Sequence, residues 1–583
     1  MGDQVDFILF PELVTSGYAC GGLFETDDFV GDCVDANDLI FAATRGKKAT
    51  VIFGCPLWAT GDDREPNGNL RITNSALVIE NGQVLGRYDK RLLANDYQHE
   101  DRKYFLPGDK ALVLRKGDLT YGVLICEDIW GRDHGRDLVA EMKEQYPSLG
   151  AVFIPNFSYF TTEKERHRHQ LLCETARKNS VALYYTNAVG IGDVVKNIII
   201  YDGRSLAFNP YGELIDNLAA FAPDPFNITY SDARSPRWYD AYDNQDKAYE
   251  KNRVLWEALL FVQREMFAQV GIQRAQVHMS GGLDSAIVGV LVAKAMGAAN
   301  TVFINNPSRA NGELTKGNAK HTADKLGVEL LVMPVQAVSE EIARAIRSAE
   351  RRQKTGSAVE IPDFMAEYYG QKSQEPVDYL NPLALATAQA VGRTALGLTY
   401  ANQAKTSVVC TGNHTENVLG WFTFHDIGSS GLYQPIGDLT KTELFSLAAW
   451  VNRYYGEELI PNNLFDGSTK PMAELADAKD DPFDYPLYSG ICAEMIRRRL
   501  TAADLIQGFY AGTLNAEAWG DKLNIFDYDP DIFEAACIDA EKRAKRSVFK
   551  CAQAAPVVIL ATRSRGFSSR ETILNHYKGY KAE

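Results

Sequence analysis

Residues 275–296 constrain this chain more than any other stretch. Residues 275–279 read as a short apolar strand and 286–296 as a helix, with Ser280-Gly281-Gly282-Leu283-Asp284-Ser285 between them. Glycines let a backbone come close to a phosphate, amides and hydroxyls donate to its oxygens, and a helix N-terminus favours the anion. No Gly-Lys-Ser/Thr is present, so this is not the loop that serves γ-phosphate transfer. Strand, glycine turn, helix and strand in succession make a parallel α/β unit.

That unit is one part of 583 residues, a length that calls for two to four domains. A formal charge of −15 argues against a nucleic-acid binder, which needs a basic face, but not against nucleotide substrates held by a few local donors. The nine cysteines are scattered with no C-x-x-C pair, the pattern of reduced thiols in the cytoplasm. No apolar run approaches the roughly 20 residues of a membrane span, and residues 1–6 lack the basic and apolar regions of a signal peptide. A cytoplasmic enzyme, with no membrane or nucleic-acid partner, is the expectation.

From residue 5 to about 215, β-rich runs alternate with polar turns. Strands are expected at 5–10, 50–54, 75–80, 84–88, 121–126, 151–155, 182–186 and 198–201. Asn81-Gly82 suits a tight hairpin turn, and 162–178 reads as an amphipathic helix. Pro223, Pro225 and Pro236 among Asp, Asn and Tyr residues break all periodicity. The expected organisation is therefore a domain over 1–220, a linker over 221–250 and a second domain over 251–583. A further irregular stretch, rich in charge, Gly and Pro, covers about 351–382.

In the first domain three strand ends carry chemistry. Glu12 follows Ile8-Leu9-Phe10-Pro11, Lys90 follows Arg87-Tyr88-Asp89, and Cys126 ends Val123-Leu124-Ile125 and precedes Glu127-Asp128-Ile129-Trp130. A cysteine nucleophile needs a base to make the thiolate and a cation to steady the developing oxyanion. Glu, Lys and Cys meet those needs without histidine. Phe-Pro-Glu-Leu, Tyr-x-Lys and Ile-Cys-Glu-Asp-Ile-Trp in this order resemble the nitrilase superfamily, most closely the glutaminase domain of glutamine-dependent NAD synthetases.

The resemblance implies an α-β-β-α sandwich in which Glu12 is the general base, Cys126 the nucleophile and Lys90 the stabiliser of the tetrahedral intermediate. It also implies a fourth, acidic residue, matched by Glu100 with Asp101 beside it, and a glutamine pocket using Glu127 for the α-amino group with Tyr97 and Ser158. Nitrilase domains usually place a strand and a helix before the Phe-Pro-Glu segment. The resemblance thus implies that about one β-α unit, on the order of 30 residues, is missing here. Either an upstream start supplies it or the domain compensates for an unpaired sheet neighbour.

The loop at 280–285 resembles the pyrophosphatase loop of enzymes that adenylate a carbonyl oxygen and release pyrophosphate. That family includes makers of GMP, asparagine, argininosuccinate, thiolated tRNA and NAD. Cys410-Thr411-Gly412-Asn413-His414-Thr415-Glu416, Trp421-Phe422-Thr423-Phe424-His425-Asp426 and Pro435-Ile436-Gly437-Asp438-Leu439-Thr440-Lys441-Thr442 look like the NAD synthetase pattern. The resemblance implies that Ser280, Gly281, Gly282, Leu283, Asp284 and Ser285 meet ATP, together with Arg393, Thr411 and Lys441. Asp284 and Glu416 would hold Mg2+, and Glu416 would also face the deamido-NAD substrate. His414 stands where lysine or aspartate is frequent, and Phe424 where a lysine frequently contacts the dinucleotide. Residues 481–485 resemble the stretch that closes over the dinucleotide, and Arg543 and Arg546 belong to a basic segment suited to an anionic substrate or a neighbouring subunit.

A nitrilase-type glutaminase followed by a pyrophosphatase-loop domain is the NAD synthetase arrangement. The expected enzyme is a carbon–nitrogen ligase, working as a homodimer or larger homo-oligomer, that amidates deamido-NAD with ATP and glutamine-derived ammonia. The alternatives are another glutamine-dependent ATP pyrophosphatase amidotransferase, or a catalytically silent nucleotide-binding homologue.

Overall fold

The computed structural model describes residues 5–59, 64–65, 68–96, 98–194, 197–217, 219–222, 247–308, 313–355, 380–423, 425–467, 481–520 and 523–564. Most of the expected linker, most of the irregular stretch near 351–382, Tyr97 and Phe424 lie outside these residues. Two units are present: Met1–Val194, Ile198–Ala258 and Ile559–Thr562 form one, and Val195–Asn197, Leu259–Val558 and Arg563–Glu583 the other.

In the first unit β1 (Phe7–Leu9) runs parallel to β2 (Thr50–Trp58), with α1 (Asp27–Thr44) connecting them. Strands β3 (Ile72–Glu80) and β4 (Gln83–Asp89) continue this sheet antiparallel, in the order β1-β2-β3-β4. Their hairpin turns at Asn81 and Gly82, with φ of 51° and 76°, the left-handed pair that a primed turn requires.

After the short helix α2 (Asp101–Tyr104) come β5 (Leu112–Lys116) and β6 (Leu119–Val123). Next follow α3 (Leu138–Gln145), β7 (Leu149–Asn156), α4 (Lys164–Asn179) and β8 (Ala182–Asn187). The adjoining strands β9 (Val189–Val194) and β10 (Asn197–Asp202) precede β11 (Leu206–Phe208) and β12 (Leu214–Asn217). The second sheet has the order β12-β11-β8-β7-β6-β5.

The period-2 alternation of strand side chains decides how these layers stack. From the first sheet, Ile52, Ala76 and Val78 share one buried cluster with Val123, Val152, Ile154 and Leu183 of the second. Their neighbours Val51, Phe53, Leu77 and Ile79 point the other way, into a cluster closed by Ile40 and Phe41 of α1. Leu138, Val139 and Met142 of α3 and Leu171, Leu172 and Ala176 of α4 also join the inter-sheet cluster. The result is the expected α-β-β-α sandwich.

In the second unit, α5 (Lys247–Gln269), which begins in the first, leads to β13 (Arg274–His278), α6 (Leu283–Met296), β14 (Thr301–Asn305), α7 (Glu313–Leu326) and β15 (Glu329–Val332). Helices α8 (Gln336–Thr355) and α9 (Pro382–Ala404) precede β16 (Thr406–Val409). All pairings are parallel, in the order β15-β14-β13-β16. The chain moves outward from β13 in one direction and then returns to its other side with β16. The crevice beyond the ends of β13 and β16 is thus a switch point, where parallel sheets hold ligands. Beyond it come α10 (His414–Leu419), α11 (Lys441–Tyr455), α12 (Tyr485–Arg497), α13 (Ala502–Ala511) and α14 (Pro530–Cys551). The last three share a core with Val418 and Leu419.

Candidate active sites

In the first unit the base is set by a missing side chain. A Cβ at Gly54 would lie 2.3 Å from the Leu13 nitrogen and 2.5 Å from the Glu12 Cα, so only glycine lets the chain after β1 cross β2 this closely. Glu12 is fully buried by this crossing. Its Oε1 accepts from Asn74 Nδ2 at 2.6 Å and Lys90 Nζ at 2.7 Å, and its Oε2 from the Phe157 main-chain N–H at 3.0 Å. Lys90, at the end of β4, also lies 2.6 Å from Asp101 Oδ2. Tyr18 donates its hydroxyl to the other Asp101 oxygen.

The resemblance matched Glu100, with Asp101 beside it, to the acidic residue near Lys90; in the structure it is Asp101 that meets Lys90. Glu100 is the N-cap of α2, outside the helix proper, and its Oε2 lies 3.5 Å from the Tyr104 hydroxyl. One residue further, a turn of about 100° about the helix axis carries the Asp101 carboxylate inward onto Lys90.

Cys126 was expected to end a strand. Instead β6 stops at Val123, and Cys126 opens the 3-10 helix Cys126–His134 with φ of +42°, a left-handed conformation that is uncommon outside glycine and clusters at functional sites. Asp128 holds this bend. It accepts from Ile125 N–H (3.0 Å), Arg91 N–H (3.1 Å), Leu92 N–H (2.8 Å) and the Tyr88 hydroxyl (2.8 Å). One carboxylate thereby ties the segment carrying Cys126 to that carrying Lys90. Burial outweighs these bonds and raises its pKa to about 6.

The charges fix the resting state. Burial disfavours the Lys90 ammonium, but Asp101 and Glu12 outweigh it and hold the proton well above the ordinary lysine range. Burial and the Glu12 carboxylate push the Cys126 thiol well up, with Lys90 opposing. The thiol is therefore protonated at rest, and a thiolate forms only as a base takes its proton.

Ser158 is buried beside Tyr185, and its N–H donates to Asn187 Oδ1 at 2.7 Å. Glu127 is half-buried, and its charge acts on both Cys126 and Lys164. Lys164 escaped the sequence reading. Its Nζ lies 3.7 Å from the Tyr159 ring centre and 5.7 Å from that of Trp130. Burial lowers its pKa, opposed by Asp96 and Cys126. The legible signal was its place in the first turn of α4, where the helix dipole disfavours a cation.

In the second unit, Gly281 has φ of +90°, and a Cβ there would meet the Thr315 carbonyl oxygen at 2.0 Å, so the loop requires glycine. Ser280 Oγ accepts from Gly282 N–H at 3.2 Å and lies 3.2 Å from Ser285 Oγ, which donates to the Gly282 carbonyl at 3.0 Å. The Leu283 side chain is buried, so only its main chain is free to meet a ligand. Asp284 accepts from Asn413 Nδ2 at 3.2 Å, across the switch point, and pairs with Lys441. Glu416 lies 3.8 Å from the same ammonium.

Capping boxes set two of these positions: Asn413 with Glu416 starts α10, and Thr440 with Glu443 starts α11. Lys441 is thus the first residue of α11, another cation set against a helix dipole. Its ammonium is 5.3 Å from the Tyr485 ring centre, and Tyr485 and Trp421 both donate to Asp481, at 2.7 and 2.9 Å. Burial and the Asp284 charge raise Glu416 to about 8.

Asp284, Glu416 and Lys441 are thus brought together. Among the described residues no direct bond joins Thr411 or Arg393 to them. Thr411 donates its N–H to the Gly428 carbonyl at 3.1 Å, and the Arg393 charge acts on His278 and Asp426. His414 is fully buried with Nδ1 3.5 Å from Asp438 Oδ1. Beside α10, a cavity of about 340 Å³ is lined by Lys542, Arg543, Arg546 and Lys550 of α14.

Comparison with known proteins follows this division. Residues 1–231 match the carbon-nitrogen hydrolase family and residues 255–494 the NAD synthase family. A glutamine-dependent NAD(+) synthetase of Xanthomonas campestris pv. campestris (strain 8004) is 28% identical over 585 residues, covering 99% of this chain and 92% of the relative. That of Thermotoga maritima is 24% identical over 604 residues, covering 98% and 93%. The crystal structure of a glutamine-dependent NAD(+) synthetase from Cytophaga hutchinsonii has the same fold, with a TM-score of 0.72 at 18% identity over 98% of this chain and 91% of that one.

Proposed function

This chain joins a carbon-nitrogen hydrolase domain to an NAD synthase domain, the make-up of glutamine-dependent NAD synthetases, and on that premise we propose that it amidates deamido-NAD to NAD with ATP and ammonia drawn from glutamine. The observation that carries this reading is the pair of charged clusters, the buried Glu12–Lys90–Asp101 beside Cys126 in one unit and the half-buried Asp284–Lys441–Glu416 in the other.

In the amidase centre Glu12 takes the Cys126 proton and the thiolate attacks the glutamine side-chain carbonyl. Lys90, already held cationic, stabilises the tetrahedral oxyanion. Glu12 returns the proton to the departing ammonia, leaving a γ-glutamyl thioester on Cys126. It then deprotonates a water, whose attack releases glutamate and restores the thiol. Asp101 keeps Lys90 charged and in place. Lys164 receives the substrate α-carboxylate and Glu127 the α-ammonium, with Ser158 and Tyr97 as further contacts.

In the synthetase centre the nicotinate carboxylate attacks the α-phosphorus of ATP and pyrophosphate leaves. Ammonia then attacks the adenylated carbonyl, and AMP departs. Ser280, Ser285 and the main chain of Gly281, Gly282 and Leu283 hold phosphate oxygens, with Lys441 as the cation, and Thr411 and Arg393 complete the ATP contacts. The two carboxylates of Asp284 and Glu416 fit Mg2+, which takes one or two carboxylates with phosphates and water; burial and Asp284 raise the Glu416 pKa, a strain that a cation relieves. Bound there, Mg2+ would offset charge on the phosphates. The basic cavity beside α14 suits the dinucleotide phosphates.

The proposed domains are 1–220 and 251–583 with the linker at 221–250, supported by the two family matches. A homodimer or larger homo-oligomer, checked by light scattering, and a cytoplasmic setting, supported by nine scattered cysteines with no C-x-x-C pair, belong to the same reading. Mass spectrometry of a reaction with ATP, glutamine and deamido-NAD tests it. NAD, AMP and pyrophosphate in equal amounts are expected, whereas consumption of a different acid and not deamido-NAD would point to another amidotransferase.

A further inference from the structure

His99 stands in the amidase unit, and the chemistry above gives it no role. Its Nδ1 lies 3.0 Å from each carboxylate oxygen of Asp96, and Asp96 Oδ1 also accepts the main-chain N–H groups of Gln98 and His99, both at 2.8 Å. An ionised carboxylate only accepts, so Nδ1 turns its proton to Asp96 and Nε2 is the ring nitrogen left on the other side to accept. Among the described residues that nitrogen has no hydrogen-bond partner, although His99 is only 3% exposed. Buried polar atoms are nearly always paired, so the orphan marks a place for a donor from outside the protein.

The surroundings locate that donor. The His99 ring meets Tyr18 edge-on, centroids 5.2 Å apart, and lies 5.0 Å from Tyr159. Tyr18 bonds Asp101, the partner of Lys90, and Tyr159 carries the Lys164 ammonium over its face. Ser158, assigned above to the glutamine, is the residue before Tyr159. Both tyrosines that flank the ring therefore reach the groups that surround Cys126.

We propose that His99 is a positioning residue for the amide donor, its Nε2 accepting an N–H from the α-ammonium group of glutamine. This rests on the glutamine reading above and adds a contact to it. At the α end of glutamine the ammonium is the only donor, and the Asp96 carboxylate behind the ring draws a cation further. An ammonium has three N–H groups, so a bond to His99 leaves two for Glu127 and solvent. Glu12 already serves as the base, so His99 needs no share in bond making.

His99→Phe keeps the ring between the two tyrosines and removes both nitrogens. Steady-state ammonia release is measured with glutamine and with 4-carbamoylbutanoate, which lacks only the α-amino group. The expected result is a KM for glutamine raised about tenfold, the loss of one such contact, with kcat within about twofold. The KM for 4-carbamoylbutanoate and synthesis driven by added ammonia stay unchanged, and His99→Gln, which restores an acceptor, recovers part of the loss. An unchanged glutamine KM in His99→Phe, or an equal rise for both substrates, overturns the proposal. A wild-type protein that releases no ammonia from glutamine overturns the donor reading, and this inference with it.

Discussion

Lys90 Nζ stands 2.6 Å from Asp101 Oδ2, with both side chains closed off from water. The pairing matters because Lys90 also touches Glu12. The carboxylate proposed to accept the Cys126 proton is therefore not the only one holding the ammonium, and protonating Glu12 leaves Lys90 with a counter-charge.

Removing that second counter-charge separates Asp101 from its neighbour. Asp101→Asn is expected to lower glutamine hydrolysis about 100-fold, the scale seen when a transition-state contact is disturbed. Glu100→Gln is expected to change it by less than about threefold. Steady-state ammonia release from both variants checks this, and the reverse order would return the role to Glu100.

Gly54→Ala tests how Glu12 is placed. The added methyl would enter the Glu12–Leu13 backbone, and such overpacking costs about 1–3 kcal/mol. A lower melting temperature and a loss of glutamine hydrolysis, with ammonia-driven synthesis retained, are expected from calorimetry and activity assays.

How these residues could and could not be read from sequence follows from where the information lies. Glu12, Lys90 and Cys126 were legible as candidates because polar groups that follow apolar runs stand out locally. Asp101 was hidden by one residue, since the start of α2 is set by packing. The φ of Cys126 comes from the Asp128 bonds, which join segments 36 residues apart. Lys164 is a legible misfit at the start of α4, but the rings and charges around it, like those around the local Asp96–His99 pair, are tertiary neighbours that no spacing rule names. Across the switch point, Asp284 and Asn413 are 129 positions apart, so motifs could nominate each but not join them.

Lys164→Met removes the cation assigned to the glutamine carboxylate. A charge-assisted bond of about 1.5–3 kcal/mol corresponds to a rise of about 10- to 100-fold in the glutamine KM, with ammonia-driven synthesis unaffected. Kinetics with each nitrogen donor check this.

Glu416 links the synthetase centre to pH. Burial and Asp284 raise its pKa from 4.5 to about 8, so in the ligand-free protein its contribution to stability is full below pH 4.5 and is lost as pH rises through about 8. A cation bound by both carboxylates needs Glu416 ionised. At pH 7 the uptake of ATP with Mg2+ is expected to release about one proton, seen by calorimetry in buffers of different ionisation enthalpy. Glu416→Gln is expected to abolish that release and to flatten the stability change between pH 4.5 and 8.

The central claim is that one chain carries two separate centres, one that makes ammonia and one that uses it. Cys126→Ala, assayed for NAD formation from deamido-NAD and ATP with glutamine or with ammonium chloride, tests it most directly. Loss of glutamine-driven synthesis with ammonia-driven synthesis at the wild-type rate is the predicted result. Equal loss with both donors, or no loss with either, would contradict it.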